Sequence, residues 1–293
     1  MIRKSKSRIA FEIVNYTFFA IFCITIIIPF LNVIAVSLSS REAITKQIVG
    51  IWPVGFNTAA YEKIAINGPF WRTFFNTVFL TVVNTSLTII IALCAGYAVA
   101  NKYLAGKKLV MNYFLIPYYF SGGLIPTYLL INGLGLYNTY WALILPAITN
   151  IYYIIVFRNL ISTLPKELIE SAELDGASQP RILFNIIIPL IMPTIAAFIV
   201  FSAVANWNSW FSSMVYISDR KKWTLQYQLR DILVNAALVN PDLEKEMATG
   251  TVPMHPENLK MAALMVTILP IIIVYPFVQK YFMSGVLVGA VKG

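Results

Sequence analysis

The feature that most restricts this chain is the spacing of its charges. Only 12% of its 293 residues are Asp, Glu, Lys or Arg, about half the share usual in a soluble domain. They leave long stretches with no charge at all: Ile13–Ser40, Thr73–Asn101, Leu109–Phe157, Ile182–Ser218 and Met261–Gln279. About 20 mostly apolar residues in a helix cross a bilayer, and a helix satisfies its own backbone where water is absent. Leu109–Phe157 has room for two such helices, divided at Asn132-Gly-Leu-Gly135. The expectation is an all-α polytopic membrane protein with one domain, residues 1–293. It has six transmembrane helices, near 13–38, 74–99, 109–131, 139–158, 185–208 and 260–281.

The positive charges set the orientation. Arg3, Lys4, Lys6 and Arg8 precede the first span, Lys102, Lys107 and Lys108 follow the second, and the segment 159–185 adds Lys166 and Arg181, with Arg158 just before it. The short loop around Asn132–Thr139 has no basic residue. Short basic segments stay in the cytoplasm, so both termini are expected there, with 209–259 as an external loop. The first apolar run exceeds the 7–15 residues or so of a signal peptide and is read as a retained span. A formal net charge of +9 therefore marks span ends and not a nucleic-acid surface. Cys23 and Cys94 fall inside spans as packing residues, and His255 has no partner cluster, so no metal site is expected. Pro117, Ser121-Gly122-Gly123 and Pro126 predict that the third span is kinked or interrupted.

One polar island breaks the pattern. Glu167, Glu170, Glu173 and Asp175 crowd beside the small residues Ser171, Ala172, Gly176 and Ala177. Pro165 suits a first helical turn, and Glu167 sits where the helix amino end favours negative charge. Asp175-Gly176 is a turn signal, so two short helices meeting at an angle are expected. Such a segment, with Glu170 and Glu173 exposed, can dock in a groove on a cytoplasmic partner and pair with an arginine there.

The island resembles the EAA loop of the permeases of ATP-binding-cassette importers. Glu170, Ala172, Asp175, Gly176, Ala177 and Pro189 stand at matching positions. Ser171 replaces the first alanine of that pattern, and Leu183 stands where phenylalanine is usual, with Phe184 one place later. The ending Gly285-Val-Leu-Val-Gly-Ala-Val-Lys-Gly293 and Trp207-Asn208 are similar to the maltose-permease branch. Leu225-Gln-Tyr-Gln-Leu229 and the long last loop look closest to a subgroup for complex, uronic-acid-type oligosaccharides, such as polygalacturonate or alginate fragments. The resemblance implies a type I importer permease in a bacterial cytoplasmic (inner) membrane. It also implies a second homologous permease, two ATPase subunits and an extracytoplasmic solute-binding protein. Glu170, Ser171, Ala172, Asp175, Gly176, Ala177 and Pro189 would couple to the ATPase, and Gly289, Lys292 and Gly293 of the tail would touch it.

The chain has no engine of its own. It contains no Gly-x-x-x-x-Gly-Lys-Ser/Thr loop to cradle phosphates, and its sole histidine rules out a Ser/His/Asp or Cys/His set. It is read as a transport subunit without enzymatic activity or cofactor, ATP and Mg being bound by the partner ATPase. An ion-coupled secondary transporter is the alternative, but acidic residues expected within such spans are absent from the charge-free runs. Sugar rings offer apolar faces to aromatic side chains and hydroxyls to amides. Asn206, Trp207, Asn208, Tyr118, Tyr119 and Tyr152 are therefore candidates for the substrate path, against the competing role of an interfacial aromatic belt.

Overall fold

The computed structural model of the chain describes residues 5–235 and 255–290. The described residues are mostly helical, with no strand among them, and form two compact units. Four helices are long and apolar enough to cross a membrane: Lys6–Ser37 (α1), Gly68–Ala100 (α4), Gln179–Trp207, and Pro256–Pro276 within a longer last helix. The pair Lys107–Tyr119 (α5) and Leu124–Gly133 (α6) makes a fifth if its halves count as one span, and these are bent by 114° at the break. The interruption expected in the third span is thus present. Gly123 takes φ +83°, which side chains with a Cβ rarely adopt, and its N–H is held by Ser121 Oγ at 3.2 Å.

The region 139–158 is not one helix. Trp141–Ile144 (α7) stops before Pro146, and Ile151–Ser162 (α8) starts afresh with Asn150 Oδ1 accepting the Tyr153 N–H at 3.2 Å. Proline cannot donate to the preceding turn, and asparagine supplies the acceptor that a new helix start needs.

One unit comprises residues 1–68 and 229–269. Arg41–Thr45 (α2) and Ala59–Ala65 (α3) follow α1. Asn258, 2% exposed, donates to Val36 O at 2.6 Å and Ser39 O at 2.9 Å, and so caps the carbonyls at the end of α1. Ser37 Oγ and Tyr61 OH share a hydrogen bond of 2.8 Å. Most of α1 is apolar all round and exposed, as a helix facing hydrocarbon should be.

The other unit comprises residues 69–228 and 270–293. Its core gathers Ile89, Ala92 and Leu93 of α4, Tyr153, Ile154 and Phe157 of α8, and Ile187, Ile191 and Phe198 of the Gln179–Trp207 helix. Tyr153 stacks on Phe198 with centroids 4.1 Å apart, and Phe157 meets the same ring edge-on at 5.1 Å. The island is Lys166–Leu174 (α9) followed by a turn. What looked like a second short helix, Gln179–Ile182 (α10), is instead the first turn of a continuous helix. It passes through a π turn at Leu183–Ile187 into Ile188–Trp207 (α11). Ile188 N–H donates back to Leu183 O, so the wide turn sits just ahead of Pro189, where an α-helical bond would be missing. It also sorts the shifted pair: Leu183 is buried and Phe184 exposed. Phe211–Tyr216 (α12), a tight turn at Arg220–Lys222, Leu225–Asn235 (α13) and Pro256–Ala290 (α14) complete the order.

Gly96 sets the approach of α4 to α8. A Cβ there would lie 2.9 Å from Phe157 Cβ, 3.1 Å from Arg158 N and 3.2 Å from Ile154 O, two of them backbone atoms that cannot swing aside. Small residues permit such approaches between membrane helices. Gly96→Leu should therefore destabilise the purified protein by about 1–3 kcal/mol or more through overpacking, with Gly96→Ala intermediate. A thermal unfolding midpoint in detergent unchanged by Gly96→Leu would show that the two helices are not in this contact.

Candidate functional site

The polar island is the part of the chain that membrane insertion does not explain. Pro165 leads into α9 with Glu167 in the first turn. Ile169 and Ala172 pack against the core, whereas Glu170, Ser171 and Glu173 are exposed. The helix ends on the paired bonds of a left-handed cap: Gly176 N–H to Glu173 O at 3.0 Å and Ala177 N–H to Ala172 O at 2.9 Å. Gly176 has φ +77° and open space around it, so its requirement for glycine is conformational and not steric. Ala172 and Ala177 lie against the same core and close the cap from the apolar side.

Side chains tie this helix to its neighbours. Gln179 Nε2 donates to Glu173 Oε1 at 2.8 Å, and Tyr97 OH of α4 donates to Gln179 Oε1 at 2.5 Å. Glu170 faces Lys102, just beyond α4, with 3.5 Å between charged atoms. That pair is more than half exposed on both sides and contributes little in water, so Glu170 can exchange Lys102 for another cation. A cavity of about 310 Å³ opens between the helices, lined by Tyr97, Lys102, Tyr103, Ile169, Glu170 and Glu173 among others.

Two residues of the island escaped the sequence reading. Leu174 is 90% exposed and Leu168 43% exposed. With Ser171 between them at intervals of three, they form one strip of exposed apolar and small side chains on the outward side of α9. A single exposed leucine is ordinary. A strip of this kind beside Glu170, on a short helix held firmly at its cap, is a surface ready for a partner.

The remaining candidates are dispersed. Pro189 lies in the helix after the π turn. Asn206 bonds within the helical unit, with its Oδ1 accepting from Asn84 Nδ2 at 3.2 Å and its Nδ2 donating to Ser202 O at 2.9 Å. Trp207 is 8% exposed and meets Phe74 edge-on at 5.7 Å. Asn208 is exposed and accepts from Gln226 Nε2 at 3.2 Å. Tyr118 and Tyr119 lean on each other at the broken end of α5, both exposed, and Tyr152 packs beside Tyr153 and Phe198. Gly289 falls near the end of helix α14, while Lys292 and Gly293 lie outside the described residues. Among the described residues no group of His, Cys, Asp and Glu could hold a metal ion.

Comparison with known proteins gives a consistent answer. Residues 1–288 match the family model described as binding-protein-dependent transport system inner membrane component. The polygalacturonan/rhamnogalacturonan transport system permease protein YtcP of Bacillus subtilis (strain 168) is 34% identical over 283 residues, 97% of this chain and 98% of that protein. Protein LplC of the same organism is 36% identical over 289 residues, 99% of this chain and 97% of its own length. A crystal structure of a bacterial ABC transporter involved in the import of the acidic polysaccharide alginate contains a similar chain. Its TM-score is 0.90 at 30% identity, and the match covers 96% of this chain and 100% of that one.

The geometry of the cap makes a test. Gly176→Asn should be tolerated, because asparagine visits the left-handed region, whereas Gly176→Val should open the cap at a cost of about 1–2 kcal/mol. Hydrogen exchange at Gly176 and Ala177 should then speed up by about tenfold. Equal protection in the valine variant would refute the left-handed cap.

Proposed function

The chain belongs to the binding-protein-dependent transport system inner membrane components, the membrane-spanning, non-enzymatic permease subunits of ATP-binding-cassette importers, and from that premise we propose how it works and what it carries. α9 is the element that an ATPase subunit grips. Glu170 supplies the charge, Leu168, Ser171 and Leu174 supply the contact strip, and the turn of Asp175, Gly176 and Ala177 sets the angle at which force reaches the membrane. The observation that carries this reading is the attachment of α9 to two spanning helices at once. It joins the Gln179–Trp207 helix through the Gly176 turn and the Glu173–Gln179 bond, and α4 by way of Gln179, whose Oε1 accepts from Tyr97.

In this reading the island is cytoplasmic and both termini share its side. Six segments cross the membrane, with α7 and α8 together serving as the fourth. The subunit pairs with a second homologous permease, two ATPase subunits bind ATP and Mg, and a solute-binding protein delivers cargo outside. Nucleotide-driven closure displaces α9, and the spans rock to open the path alternately to each side. The tail, including Gly289, Lys292 and Gly293, reaches the ATPase pair.

The cargo is a carbohydrate, an oligosaccharide that contains uronic acids. Support comes from the names of relatives, one a polygalacturonan/rhamnogalacturonan permease and one an importer of alginate. Asn206, Trp207, Asn208, Tyr118, Tyr119 and Tyr152 flank the route. An ion-coupled carrier has no comparable support, and neither does an enzyme.

The coupling claim is testable in a reconstituted importer. Glu170→Ala removes a charge-assisted bond worth about 1.5–3 kcal/mol, so it should weaken ATPase association roughly tenfold or more or uncouple ATP hydrolysis from uptake. The variant should still insert and fold. Normal uptake and normal ATPase retention by Glu170→Ala would overturn the assignment.

A further inference from the structure

At the ends of α4 and α11 remote from the island, a turn is held with unusual thoroughness. Asn138, itself at φ +60°, donates its N–H to Tyr216 O at 2.8 Å, accepts the Asp219 N–H on Oδ1 at 3.0 Å and accepts Lys222 Nζ on its carbonyl at 2.7 Å. Asn76 of α4 donates to Lys221 O at 2.9 Å and Trp223 O at 3.1 Å, and accepts Tyr140 OH at 2.9 Å. Thr77 Oγ1 takes the Leu225 N–H at 2.7 Å, and Ser213 Oγ takes that of Thr224 at 3.2 Å. Backbone that would otherwise need water is fixed by side chains from several segments.

What this scaffold displays is positive charge. Arg220 and Lys221 are exposed, Lys222 is half-buried, and exposed Arg72 stands one helical turn before Asn76 on α4. None of the four is in an ion pair among the described residues. The acid beside them, Asp219, is occupied in capping the Lys221 N–H at 2.9 Å. The Arg220 guanidinium sits over the Trp223 ring, 5.3 Å from its centroid, and Tyr227 packs on that ring at 4.3 Å. Trp223 is 7% exposed, yet its Nε1 donor has no acceptor among the described residues. Such a buried donor is costly to leave unmade. The side-chain anchors hold the backbone of the turn, and the Trp223 ring backs the Arg220 guanidinium, so part of the cost of ordering this cationic surface for an anion has been met in folding.

We propose that the turn Arg220–Lys222, with Arg72 and Trp223, is an entry-side site that reads the carboxylates of an acidic oligosaccharide before it enters the membrane. The proposal rests on the uronate-containing cargo proposed above. Each sugar unit of a polyuronate carries a carboxylate, and a guanidinium and ammonium pair recognises carboxylates by charge-assisted bonds. An acidic face of the binding protein is the rival occupant, and the test separates the two.

The experiment uses the assembled importer in nanodiscs with its binding protein, comparing wild type with Arg220→Gln, Lys221→Gln and the double variant. Trigalacturonate is the probe, and a neutral trisaccharide presented the same way is the control. At saturating binding protein, transport-coupled ATP hydrolysis with trigalacturonate should fall about tenfold in the double variant. Its affinity for the binding protein should stay within twofold or so of wild type. Lys221→Gln, which removes charge without disturbing the ring packing, should show part of the loss with normal ATPase assembly. A weakened binding-protein affinity with the rate restored at saturation would assign the turn to the protein and overturn the proposal. Unchanged rates would overturn it equally. A wild-type importer that ignores trigalacturonate but moves the neutral sugar would instead refute the proposed cargo, an outcome visible before any variant is compared.

Discussion

Hydrocarbon offers a backbone no hydrogen bonds, and that one constraint accounts for where this chain is regular and where it is not. The long helices carry their own bonds across the membrane. Several departures from α-helix are met locally: the π turn ahead of Pro189, the Asn150 cap where α8 restarts, Ser121 and Thr127 around the Gly123 break. Asn258 closes the carbonyls of α1 in the same manner from a distant part of the sequence. Function collects at the ends of the helices because irregular backbone is cheapest there, next to water.

The island follows from this logic. It is amphipathic but not apolar enough to enter the membrane, so α9 lies on the surface of its unit, with Ile169 and Ala172 packed against the core. Its left-handed cap converts a flexible loop into a joint of defined angle, and the Tyr97–Gln179–Glu173 chain bridges it to α4. The exposed Glu170 and Leu174 are then presented on a lever rather than a tether. In the proposed mechanism, a partner that moves this lever moves two spanning helices without any of its own residues entering the bilayer.

Much of this was legible in the sequence because charge and chain breakers act locally. The uncharged runs, the break at Ser121-Gly122-Gly123 and the cap at Gly176 all stand in plain residue types. The misreading of a second short helix has an equally local cause. The turn at Asp175-Gly176 is present, but the helix after it does not stop short: Pro180 sits in a first turn, which tolerates proline, and the π turn absorbs Pro189. What could not be read was tertiary. The sequence does not show that Leu174 is uncovered, that Asn84 and Asn206 meet, that Asn258 caps a helix more than two hundred residues away, or that Asn76 and Asn138 jointly hold the Arg220–Lys222 turn. Within the external loop expected at 209–259, residues 236–254 lie outside the described residues.

The central claim is that the outward strip of α9 is covered by the ATPase in the working importer. Its most direct measurement is the labelling of a Leu174→Cys variant, built with the two native cysteines replaced, by a membrane-impermeant maleimide in inside-out vesicles. The account predicts fast labelling of the permease alone and labelling slowed by at least about tenfold once the ATPase subunit is present. A rate that stays the same in the fully assembled, transporting complex would contradict it.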